Sequence, residues 1–187
     1  MDDVNTKFVD MANPYSWLVT ADNLHEQAQH LYGRRGRLTY SRLDRHGVSK
    51  TWDGTNKSIF LIGGFALENA IKSFLVFENP QWVSNGALAK DLKSHSLTAL
   101  QEKASLIPYK TKYIWVLKKF EDGIESWARY PCGLSVHTSF DEEILSPGLW
   151  DGYVRLINAY FSRMQRLLTK GWRGPHQYHG KWRIKDV

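Results

Sequence analysis

Two charged residues stand out because of where they sit. Glu68 and Lys72 are the only charges in Ser58–Phe77, SIFLIGGFALENAIKSFLVF, a run apolar almost all round. One helical turn separates them, so a helix carries both on one face. Such a couple either lines a cleft where a ligand or partner docks, or forms a structural ion pair at a seam between helices. His95, within Lys93-Ser94-His95-Ser96-Leu97-Thr98-Ala99-Leu100, offers an imidazole that can bind phosphate or carry a proton. The same imidazole can instead cap a helix and bond a backbone group or Glu68. Arg129, in Trp127-Ala128-Arg129-Tyr130-Pro131, brings a guanidinium fork suited to phosphate or carboxylate, or to the last carbonyls of a helix. The expected ligand or partner cleft is therefore Glu68, Lys72, His95, Arg129 and Tyr130.

Other constellations carry less chemistry. His25 and His30 are five positions apart, not four, which places them on different helix faces and argues against a zinc-protease motif. Lys57-Ser58 precedes a helix but follows Asn56 rather than the glycine a phosphate loop needs. His176 and His179 have no cysteine partner nearby, so no metal site and no cofactor are expected. Two stretches, 34–50 and 172–185, interleave cations with aromatic rings. Arg34, Arg35, Arg37, Arg42, Arg45, Arg173, Lys181 and Arg183 alternate there with Tyr40, Trp52, Trp172, Tyr178 and Trp182. Cations with stacking rings are what single-stranded nucleic acid binding uses; a solvated basic surface has the same composition.

The elements that must position these groups read as helices. A chain of 187 residues with eight Trp and nine Tyr is long and apolar enough for one domain with a real core. Its net charge of +6 suits a polyanionic or nucleotide partner. The single cysteine, Cys132, excludes an internal disulfide and fits a reducing compartment. MDDVNTKFVD has no apolar run, so a cytoplasmic location is expected. Ser58–Phe77 nears spanning length, yet mid-span charges are expensive in lipid, so a buried helix and no membrane are expected.

Residues 1–12 read as a loose lead-in. Asn13-Pro14 opens a helix carrying Trp17, Leu18, Ala21, Leu24, Ala28 and Leu31 as one stripe. Residues 33–57 lack helical period and form a long loop, in which arms 37–42 and 47–52 suit a short hairpin. Leu88 and Leu92 mark one short helix, and Leu97, Leu100 and Ala104 another. Tyr109–Arg129 is amphipathic, and 130–146 is a second long loop. Pro147 opens the last striped helix, which ends at Gly171. The expected fold is all-α: an antiparallel up-and-down bundle of four to five helices over 13–170, followed by a basic aromatic tail over 171–187.

Three pieces in order, Ala66-Leu67-Glu68-Asn69-Ala70-Ile71-Lys72-Ser73-Phe74-Leu75, then Leu92-Lys93-Ser94-His95-Ser96-Leu97-Thr98-Ala99-Leu100, then Ala128-Arg129-Tyr130-Pro131, resemble the HEPN superfamily. The resemblance implies a helical bundle that often dimerises. Its members range from metal-independent endoribonucleases of toxin–antitoxin and antiphage systems to inactive proteins. The inactive ones bind RNA, a nucleotide or a nucleotidyltransferase-type protein. The ribonucleases place a His a few positions after an Arg near the start of the last helix. Here Arg129 to His137 is a longer gap. Arg173 to His179 has the spacing, with Gly174 after the Arg. The expectation is a non-catalytic binding or assembly module and homodimer. The alternative is a divergent endoribonuclease using Arg129 and His137, or Arg173 and His179.

Overall fold

The computed structural model describes residues 2–37, 39–135 and 144–183. It is largely helical, with two small two-stranded sheets. The helices are α1 (Asp2–Ala12), α2 (Pro14–Gly33), α3 (Asn56–Glu78), α4 (Leu97–Lys103), α5 (Ile114–Asp122) and α6 (Pro147–Leu168).

Local chemistry sets the helix starts. Asn13 Oδ1 accepts the Ser16 N–H at 3.0 Å and Pro14 takes the first turn of α2. Ser146 repeats the arrangement for α6, its hydroxyl accepting the Leu149 N–H at 3.2 Å ahead of Pro147. After α6, Gly171 adopts φ +91°, the left-handed geometry of a helix-ending glycine.

α3 lies at the centre. Ile59, Phe60, Leu67, Ile71, Phe74 and Leu75 are fully buried on it. It is long and apolar enough to cross a membrane, and 78% of its most apolar stretch is buried inside this chain. Gly63 and Gly64 let α5 and α6 approach closely. A Cβ on Gly63 would stand 2.7 Å from Phe120 Cε1, and one on Gly64 would overlap Ile124. Phe120 stacks on Tyr153 of α6 at 4.8 Å and tilts against Phe60 at 4.9 Å.

The lead-in, the amphipathic helix and the tail differ from the sequence expectation, and the hairpin agrees with it. The lead-in is a helix, α1, because Val9 and Ala12 bury against the body. The loop over 33–57 contains a hairpin, β1 (Thr39–Leu43) with β2 (Ser49–Asp53), near the expected arms. Asp44 builds its turn by accepting the His46 and Val48 N–H groups at 2.8 and 2.9 Å, with Gly47 at φ +77°. The amphipathic helix starts at Ile114, not Tyr109, because Tyr109 is left-handed at φ +59°. Its far end, Gly123–Trp127, is a wider π-type turn in which the Ala128 N–H reaches Gly123 O at 3.1 Å.

The tail is also folded. β3 (Trp172–Arg173) pairs with β4 (His179–Gly180), and Trp172 is only 3% exposed. The Trp172 ring N–H donates to Phe77 O at 3.3 Å, Tyr178 donates to Asp10 at 2.7 Å, and Trp182 stacks on Tyr15 at 5.5 Å.

Candidate functional site

Glu68 and Lys72 sit one turn apart on α3 and are both buried. The Lys72 ammonium donates to Glu68 Oε1 at 2.6 Å and lies 5.7 Å from the centre of the Trp17 ring on α2. The other oxygen, Oε2, stands 2.9 Å from His95 Nδ1. A carboxylate there favours a ring with hydrogen on Nδ1. The His95 side chain is 50% exposed, against 6% for Glu68. A buried ion pair thus holds one imidazole that reaches solvent, with the centre of the Phe65 ring 6.4 Å from its own.

His95 is placed by a clamp on α4. Glu121 of α5 accepts the Thr98 N–H at 2.6 Å, the Thr98 hydroxyl at 3.0 Å and the Ser96 hydroxyl at 3.1 Å. That ties the N-cap Ser96 and the first turn of α4 to α5, and His95 directly precedes that cap. Four residues further on, Glu125 has its carboxyl pushed up by burial, and then by the Glu121 and Asp122 carboxylates; His95 opposes the shift. The surroundings of His95 are therefore acidic, which repels phosphate and attracts a cationic group.

Of the five expected cleft residues, three meet. Arg129 is exposed, and among the described residues no hydrogen bond or ion pair links it to Glu68, Lys72 or His95. Tyr130 is exposed too, and its carbonyl accepts from Lys57 at 3.2 Å. Lys57 precedes Glu68 by eleven positions on α3, roughly 16 Å along the axis. The π-type turn explains the separation. An ordinary helix would carry Arg129 on the face of Glu125. One extra residue in a turn rotates the downstream residues by roughly 100°.

His137, the expected partner of Arg129, lies outside the described residues. Arg173 and His179 do come together: they face each other across β3 and β4, the Arg173 Nε–H donating to His179 Nε2 at 3.0 Å. The basic residues fall into two groups rather than one surface. Arg34, Arg35, Arg37, Arg42 and Arg45 cluster where α2 ends; Arg173, Lys181 and Arg183 cluster where it begins, about 30 Å away. Arg35 is fixed, donating to Leu145 O at 2.7 Å, and Arg45 donates to His46 at 3.2 Å.

The dismissed histidine pair is also accounted for. His25 is buried, 3.0 Å from the Tyr153 hydroxyl, and burial lowers its pKa. Among the described residues no group of three or more His, Cys, Asp or Glu could hold a metal ion. The sequence marks Trp17 only as part of the α2 stripe and does not single out Glu121 and Glu125. Their only signal was the four-residue spacing of Glu121 and Glu125.

In comparisons with protein-family models, with curated proteins and with solved structures, nothing matched this chain.

Proposed function

We propose that this chain is a HEPN-like antiparallel helical bundle that works as a non-catalytic assembly module, a homodimer in the cytoplasm. Of the partners that the resemblance implies, the reading favours a nucleotidyltransferase-type protein over RNA or a nucleotide. One observation supports this most. Glu68 uses both oxygens inside the chain, so Lys72 is committed to it, and what remains for a partner is His95 within an acidic rim. A phosphate would meet one imidazole and several carboxylates there. A Lys or Arg side chain of a protein would meet complementary charge.

The test is coexpression with a nucleotidyltransferase-type protein from the same source, followed by titration calorimetry. His95→Ala and Glu125→Lys each weaken the complex about tenfold or more, the effect of removing or reversing one desolvated charge contact. Equal affinity in both variants, or no complex at all, sinks the reading.

A second reading, a divergent metal-independent endoribonuclease, is favoured by the 3.0 Å contact of Arg173 with His179. Arg173 would turn from His179 to hold a phosphate, which frees His179 Nε2 to take the proton of the attacking ribose 2′-hydroxyl. Incubating mixed RNA with the protein in EDTA separates the two. Cleavage that vanishes in His179→Ala selects the enzyme.

A further inference from the structure

The β1–β2 hairpin stands away from the core. All five residues of β1 are exposed, and its two rings, Tyr40 and Trp52, remain 50% and 41% exposed. They are register partners, 6.2 Å apart between centres and 30° from parallel. Residues two apart on a strand share a face, so Arg42 lies beside Tyr40 on the ring face, with Lys50 opposite it in the register. Ser41 and Thr51 occupy the other face and bond to each other at 2.9 Å, and Leu43 shares that face at the end of the strand. Both rings and Arg42 are thereby gathered on one side.

The charge is uneven. The stretch holds six cations, Arg34, Arg35, Arg37, Arg42, Arg45 and Lys50, against two carboxylates, Asp44 and Asp53, and both carboxylates are occupied. Asp44 holds the turn, while Asp53 accepts the Gly36 N–H at 2.9 Å and the Thr55 N–H at 2.8 Å. Two-stranded hairpins are marginal alone, and this one hides no ring in the core. An exposed ring pair flanked by an excess of cations matches a strand whose bases are free to stack and whose phosphates track the charge. A duplex keeps its bases stacked inside and offers such rings nothing.

We infer that this hairpin is a docking platform for single-stranded polynucleotide: bases stack on Tyr40 and Trp52, and phosphates lie along Arg37, Arg42 and Arg45. The inference stands apart from the Glu68–Lys72–His95 site and does not rest on its partner.

The test is fluorescence anisotropy with a labelled oligouridylate, an oligothymidylate and a duplex of equal length. Both single strands bind and the duplex binds far more weakly. Trp52→Ala and Tyr40→Ala each weaken single-strand binding at least about fivefold, the low end for removing one base–ring stack. Trp52→Phe, which keeps both a ring and the hairpin, stays within about twofold of the unmodified protein. Replacing Arg42 and Arg45 together by Gln flattens the salt dependence by about 1.4 in log–log slope, roughly 0.7 for each phosphate no longer neutralised. Equal affinity for the two strands assigns recognition to bases and phosphates; tighter oligouridylate adds a 2′-hydroxyl contact, and either result keeps the platform. The inference is overturned by duplex binding as tight as single strands, by ring variants that bind normally, by loss confined to Arg173→Ala, or by binding only to phosphatidylserine vesicles.

Discussion

The hairpin over 39–53 and the folded tail over 172–180 both combine cations with aromatic rings and have opposite architecture. Each mixes Arg or Lys with Trp and Tyr, and each makes a two-stranded antiparallel pair. The tail turns its rings inward: Trp172 is buried beneath the last turn of α3, Tyr178 reaches Asp10, and just beyond it Trp182 lies on Tyr15. The hairpin turns its rings outward, against each other. An aromatic residue in a basic stretch is thus a fastener in one place and an open surface in the other. Its neighbours in space decide which.

The contrast can be broken in four ways. Trp172→Ala should be the most severe, destabilising the chain by about 3–5 kcal/mol through the cavity it leaves. Trp52→Ala should change global stability by less than about 0.5 kcal/mol, since it removes an exposed side chain. Denaturant melts of the two variants check both values, and similar losses would end the distinction. Gly174→Ala comes next. A Cβ there would lie 2.6 Å from Trp172 Cζ3, and overpacking of that kind costs about 1–3 kcal/mol. Gly47→Ala in the hairpin turn strains only a left-handed backbone, at about 1 kcal/mol, and leaves the melting of the helices in place.

The third concerns alkaline pH. Burial, then the hydrogen bond donated to Asp10, pushes the Tyr178 hydroxyl up to about 12. A folded pKa above the unfolded value of roughly 10 means the docked tail is fully favoured below pH 10 and loses that support as the pH rises to about 12. Tryptophan emission should shift toward the exposed value across that window. Tyr178→Phe should abolish the Tyr178 contribution to the shift. The smallest effect is kinetic. Trypsin should cut after Arg42 or Arg45 before it cuts after Arg173, because β3 is anchored by a buried ring and the hairpin is not. Simultaneous cleavage at both would mean that the tail opens as readily as the hairpin.

Much of the helical content was legible in the residues. Asn13-Pro14 and Ser146-Pro147 open their helices as their capping chemistry requires, and α3 reads as apolar all round because it lies beneath the other helices. The Glu68–Lys72 pair was legible too, since helical spacing alone puts the two side chains together. His95 was legible only as a candidate. Arg129 was legible only by its guanidinium chemistry, and the π-type turn just before it sets which way it faces. α1 was missed because only Phe8, Val9 and Ala12 mark its inner face. The tail was missed because its period-free sequence gives no hint of the surface that receives it.

By itself, the order of residues determined what is settled within a few bonds: helix starts, the i to i+4 ion pair, the Asp44–Gly47 turn and the apolar character of α3. Packing decided everything that joins distant segments. His95 meets Glu68 across 27 positions, and Tyr178 meets Asp10 across 168. Local rules act over one turn of backbone. Which ring is covered and which is left in water depends on surfaces that exist only once the helices have packed.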